Sequence, residues 1–276
     1  MNQLWPGGRS VAVMVNVAYE AWPEGVAPGI SPMGNPLPSG LLDTQAISWA
    51  DYGPKAGLAR LLGVLERSGT RATFMVSGIL TDKYPETIKG IVEQGHEICG
   101  HSWSQNVLPV ALSESEERHE MLRCIEALAS VSGQRPQGWI SPRGTPSRHT
   151  ARLAREAGLS WFGDVFDSDL PYMLDTEAGP IVALPLQMEI NDLPLIMRFG
   201  RSPLALHEEL SRLLHYALRS GELSLLDITV HVHVGGRPAV AGVFEDSLSE
   251  LRERGDVWLT TRNAVAAHVW DSPLSA

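Results

Sequence analysis

The chain has 276 residues, 43% of them hydrophobic and 20% charged, enough to bury one sizeable core. Its formal net charge of −10, with no basic stripe to offset it, argues against nucleic acid or an anionic membrane as a partner. No apolar run approaches the ~18 residues of a membrane span, and two cysteines, Cys99 and Cys124, imply no disulfide framework. Met1 to Ser10 lack the basic and then apolar pattern of a secretion signal, so a cytoplasmic protein meeting small metabolites is expected.

In chain order, Val11 to Val17 is an apolar run of strand length and reads as a buried parallel strand. The stretch from Pro23 to Pro38 is dense in proline and glycine and reads as a long functional loop. Leu58 to Ser68 has helical spacing and stops at Gly69. A strand over Ala72 to Val76, a helix near Pro85 to Gln94 and a strand over Glu97 to Cys99 follow. Ser113 and Glu116 form a capping box for a helix running to about Val131. Next come a strand over Gly138 to Ile140, a helix near Arg148 to Ala157, a strand near Ser160 to Phe162 and an extended stretch from Ile181 to Met188. A helix over Leu204 to Ser220, a strand from Leu226 to Val234, a helix from Val243 to Arg254 and a strand over Val257 to Thr260 complete the pattern. Alternating strands and helices with no linker or repeat predict an α/β fold, a TIM-like (β/α) barrel in a single domain over residues 1–276.

Barrel enzymes place their chemistry where strands end. The polar residues at predicted strand ends are Asn16 and Glu20, His101, Arg143, and His231 with His233. Histidines, an arginine and a carboxylate supply a base, an acid and an oxyanion donor, which suits hydrolysis. Trp139, Trp161, Trp258 and Trp270 read as core.

The ordered motifs Ala72-Thr73-Phe74, Gly95-His96-Glu97 through His101, Ser141-Pro142-Arg143 and the late His231 resemble the polysaccharide deacetylase superfamily, carbohydrate esterase family 4. Trp49 to Gly57, Asp167 to Tyr172, Asn191-Asp192 and His231 to Pro238 resemble its branch of deacetylase-like allantoinases and cyclic imidases. The resemblance implies a distorted (β/α) barrel of about seven strands. Metal-dependent members carry an aspartate pair after the first strand and a His-x-x-x-His pair; by position these fall on Asn16, Ala18, His101 and Gln105, so only His101 remains of three ligands. No cofactor is therefore expected, and if a divalent metal such as zinc is used, His101 is its ligand.

The expected activity is opening of a small cyclic amide, imide or ureide by hydrolysis of a non-peptide C–N bond. Glu20 is the expected base and His231 the acid, with His101 bonding substrate or water and Arg143 orienting a carbonyl. Asn16, Trp22, Trp103, Gln105, Asn191, Asp192 and His233 are expected to bind substrate, with Trp22 and Trp103 walling a flat ring. The alternatives are a catalytically silent ligand-binding member and an atypical metal-dependent deacetylase using His101 with His231 or His233. A homo-oligomer is expected from the resemblance.

Overall fold

The structure is a computed structural model describing residues 4–33, 37–38 and 40–274. Met1 to Gln3 of the N-terminal stretch and Gly34 to Pro36 and Ser39 of the predicted loop lie outside the described residues.

The strands are β1 (Val11–Tyr19), β2 (Thr73–Val76), β3 (Glu97–Gly100), β4 (Gly138–Trp139), β5 (Trp161–Val165), β6 (Tyr172–Leu174), β7 (Ile181–Pro185), β8 (Ser224–His231) and β9 (Val257–Thr260). The α-helices are α1 (Thr44–Tyr52), α2 (Leu58–Arg67), α3 (Leu80–Lys83), α4 (Pro85–Glu93), α5 (Glu114–Ser132), α6 (Thr150–Glu156), α7 (Leu204–Ser220), α8 (Pro238–Glu253) and α9 (Arg262–Asp271). Two compact units result: one from the chain up to Ala72 with Gln187–Thr260, the other from Thr73–Leu186 with the segment after Thr260.

In the first unit β1 lies between β8 and β9, parallel to both, with Val11 opposite Ser224 and Ala18 opposite His231. Every residue of β1 is buried, which is why its sequence runs apolar instead of alternating. The strand continues two residues past Val17 because Ala18 still pairs, so Glu20, and not Asn16, stands at its exit. Helix α2 buries Leu58, Leu61, Val64 and Leu65 on one face, each contributing about 1.5–3 kcal/mol of apolar burial. Leu206, Leu210 and Leu214 of α7 and Phe244, Leu248 and Leu251 of α8 complete this core.

Two departures from the predicted elements shape this unit. Strand β8 stops at His231, where the N–H groups of Val234 and Gly235 both turn back to its carbonyl (3.0 and 2.7 Å). His233 therefore sits on a turn and not in a strand. Helix α1, capped by the Asp43 side chain on the Ala46 N–H, runs into a π-helical turn over Gly53–Gly57 that the glycines and proline concealed from periodicity. Gly57 is obligatory there: a Cβ would lie 1.8 Å from the Val232 carbonyl oxygen. Asn191 Oδ1 accepts the Leu193 N–H (3.2 Å) at the start of a second π-helical turn, Leu193–Arg198.

In the second unit the order is β6-β7-β5-β4-β3-β2, parallel except for the β6–β7 pair. That antiparallel pair was not visible in the sequence. The capping box is as read: Ser113 accepts from the Glu116 N–H and Glu116 returns to the Ser113 N–H, while Gly133 closes α5 at φ 72°. Met121, Cys124, Ile125 and Leu128 of α5 are buried with Ile88 and Ile91 of α4. The start of α9 is latched by Thr73 Oγ1, which accepts the Arg262 N–H (2.9 Å), and by Glu97, which accepts the Asn263 N–H (2.9 Å). Trp139 and Trp161 are core as expected, but Trp270 is 41% exposed, lying at the end of the terminal helix. The described residues contain nine strands where about seven were expected; the short β6 is one of the additions.

Candidate functional site

The first unit gathers four titratable side chains at the ends of β1 and β8. His231 Nδ1 lies 2.6 Å from Asp192 Oδ1, and the other Asp192 oxygen accepts the His231 backbone N–H at 2.9 Å. The carboxylate thus fixes both the ring and the main chain of one residue. With Nδ1–H donating, Nε2 is the ring atom left to act, and it lies 3.8 Å from Glu20 Oε1. Glu20 Oε2 lies 3.9 Å from His233 Nε2, so the carboxylate stands between two imidazoles without bonding to either. Glu20 and His231 are each 8% exposed, His233 1% and Asp192 0%.

The two histidines are driven in opposite directions. Burial works against a charge on His231, but the carboxylates of Asp192 and Glu20 outweigh it and hold His231 above the usual histidine value. Burial pushes His233 down to about 4; Glu20 opposes this, and His231 and Arg237 reinforce it. His233 is packed edge-on by Trp49 (ring centroids 4.6 Å) and by Trp22 (5.8 Å). Neither of its ring nitrogens has a hydrogen-bond partner among the described residues. An unsatisfied buried imidazole costs about 1–3 kcal/mol, which marks the position for a purpose other than stability.

The second unit carries its own group. His101 Nδ1 lies 2.7 Å from the Ile140 carbonyl oxygen, an acceptor, so the proton sits on Nδ1. Gln105 Nε2 donates to Ser77 Oγ (3.0 Å) and to the His101 carbonyl (3.2 Å). Asp164, at the end of β5, accepts the Ser141 N–H (2.8 Å); its other oxygen has no hydrogen-bond partner among the described residues, and burial raises its carboxyl to about 6. Among the described residues, the two non-glycine residues with left-handed backbone are Ser102 (φ 61°), next to His101, and Arg143 (φ 59°). Such strain collects at functional positions, at about 1–3 kcal/mol each.

Of the residues singled out from sequence, Glu20, His231, His233, Asp192 and Trp22 come together in the first unit. Asn16 does not join them: it is fully buried within β1, and its amide donates to Asp227 Oδ1 (2.6 Å) and the Ile228 carbonyl (3.0 Å). Asp192, expected against substrate, has no exposed surface and instead holds His231. Asn191 is bound into the β8 edge opposite Thr229. In the second unit His101 and Gln105 are adjacent, Trp103 lies under the Arg123 guanidinium (3.5 Å to the ring centroid), and Arg143 is exposed in its turn. Sequence reasoning missed Trp49, Arg237 and Asp164. The first two lie inside motifs already singled out, and Asp164 ends a strand, the signal that flagged His101.

The positions where metal-dependent relatives carry ligands do not suit a divalent ion. Ala18 has no donor atom, the Asn16 amide is spent inside the sheet, and the Gln105 amide nitrogen is spent on Ser77 and His101. Among the described residues no three His, Cys, Asp or Glu side chains are grouped to hold a metal. No helix of the described residues is long and apolar enough to cross a membrane.

The polysaccharide deacetylase family profile matches residues 45–162. A peptidoglycan deacetylase of Helicobacter pylori is 21% identical over 252 residues, 80% of this chain and 86% of that protein. The structure of a probable polysaccharide deacetylase from Pseudomonas aeruginosa superposes with a TM-score of 0.87 at 27% identity, covering 98% of this chain and 95% of the other. That of Puue allantoinase superposes with a TM-score of 0.88 at 26% identity, covering 99% and 94%. These end-to-end likenesses give the chain the distorted (β/α) barrel fold expected from its sequence.

Proposed function

We propose that this chain, which resembles the polysaccharide deacetylase family in sequence over residues 45–162 and in fold from end to end, is a hydrolase that opens a small cyclic amide, imide or ureide, as an allantoinase-like enzyme working without a catalytic metal. The observation that carries this reading is the Asp192–His231 pair with Glu20 facing the free end of the imidazole.

Glu20 takes a proton from water while the oxygen adds to the ring carbonyl carbon. His231, its proton affinity raised by two neighbouring carboxylates, delivers its Nε2 proton to the ring nitrogen as the C–N bond breaks. The products are an acid and the freed amide or urea nitrogen on one open chain. The 3.8 Å between Glu20 and His231 exceeds hydrogen-bond length, so base and acid do not neutralise each other directly. Trp22 and Trp49 exclude water around His233, which stays neutral and offers its ring nitrogens to the N–H or C=O of the substrate ring.

The test is turnover of allantoin, hydantoin and succinimide by purified protein before and after exhaustive chelation. Ring opening that survives chelation supports the proposal. Activity lost on chelation and restored by zinc overturns the metal-free reading in favour of the atypical deacetylase, and silence across the panel leaves a ligand-binding relative.

A further inference from the structure

A groove of about 710 Å³ in the first unit is lined by Gln45, Ser48, Trp49, Tyr52, Lys55 and Arg237. Its volume lies in the range of small-molecule sites. Trp49 is its link to the chemistry described above, because the same indole packs edge-on against His233.

The cation in this groove is built in place. The Arg237 guanidinium lies 3.7 Å over the centroid of the Tyr52 ring, and its Nε donates to the His233 carbonyl (3.3 Å). Tyr52 is itself anchored, its hydroxyl taking a hydrogen bond from Arg60 and lying 3.4 Å from the Gly236 carbonyl oxygen. One edge of Arg237 is therefore occupied, its face is stacked, and its terminal nitrogens are committed to no carboxylate among the described residues. Arg237 is half-buried and has no acidic partner among the described residues, in a chain with 32 acidic and 22 basic residues. The other cation of the groove, Lys55, is already matched by Asp51 at 3.0 Å. A planar fork held by stacking suits a carboxylate, which accepts two parallel N–H bonds.

We propose that this groove is a carboxylate-binding subsite, and that the substrate is a ring carrying an acidic substituent whose carboxylate is held by Arg237 while the ring reaches past Trp49 toward His233. The inference rests on the ring-opening reading for the identity of the ring but not for the presence of the anion site. The uncharged polar lining, Gln45 and Ser48, accommodates the substituent's remaining lone pairs, and Trp49 and Tyr52 give its carbon stem apolar cover.

The experiment is titration calorimetry of wild-type protein and of Arg237→Gln and Arg237→Lys with hydantoin-5-acetic acid and with uncharged 5-ethylhydantoin, alongside turnover of 5-ethylhydantoin. Wild type should bind the acid about 10–100-fold more tightly than the neutral ring, as charge-assisted bonds require. Arg237→Gln should bring the ratio of the two affinities down to about one, and Arg237→Lys should retain part of the preference, since charge remains without the fork. Equal wild-type affinities for the two probes, or a loss in Arg237→Gln that falls equally on both, would overturn the subsite. Failure to turn over 5-ethylhydantoin would count against the ring-opening reading alone, because binding of the acid is scored separately.

Discussion

Two imidazoles at strand ends, His231 in the first unit and His101 in the second, are held in different ways. Asp192 holds His231 by a carboxyl group that meets ring and backbone together, burial raising its proton affinity and His231 lowering it. His101 is held by the neutral carbonyl of Ile140. A charge selects a protonation state, whereas a carbonyl selects only a tautomer. The first arrangement suits a residue that must carry a proton to a leaving group. The second suits one that must present a lone pair in a fixed direction.

The sharpest way to break this contrast is at its carboxylates. Glu20→Gln removes the base while keeping size and hydrogen bonding, and kcat for ring opening should fall roughly 10²–10⁴-fold in steady-state assays; a fully active variant refutes the assignment. Asp192→Asn should lower kcat less, by about 10²-fold, and move the alkaline limb of the pH–rate profile to lower pH. The sign follows from His231: its folded value is raised by the two carboxylates, so the proton persists to higher pH, and removing one anion releases it earlier. An unmoved alkaline limb would mean that His231 is not the titrating acid.

His233 tests the same logic from the other side. Its folded value, depressed to about 4, means that the neutral form is favoured by the fold, so stability is complete above the unfolded value near 6.5 and is lost as pH falls toward 4. The full effect is about 3 kcal/mol, and His233→Gln should flatten the denaturant-midpoint profile over that window. If the variant loses stability there as steeply as wild type, His233 is not buried neutral. The smallest effect is expected in the second unit, where Gln105→Ala deletes the bonds to Ser77 and the His101 carbonyl and should cost about 1 kcal/mol in urea denaturation.

Much of the architecture was legible because it follows from burial and capping. The apolar run from Val11 marked a central strand, and Ser113 with Glu116 marked the start of α5. The π-helical turn at Gly53–Gly57 was not legible, because its glycines and proline read as breakers and its geometry is set by the turn it packs against. In the site, Glu20 and His231 could be read because polar residues at strand exits are conspicuous. The role of Asp192 could not, because its partner lies 39 positions away and only the fold brings Oδ1 to Nδ1. Arg237 was hidden for the same reason: its importance lies in having Tyr52 beneath it and no acid beside it.

The close approach of Gly57 to the Val232 carbonyl, and of Gly236 to the Gly57 backbone, has a mechanical consequence. Main chain abuts main chain there, with no rotatable groups between to absorb an error of even half an ångström. The loop bearing His233 is seated like a stone against bare rock, so its position is dictated by peptide geometry and can be retuned only by shifting the helical coil behind it.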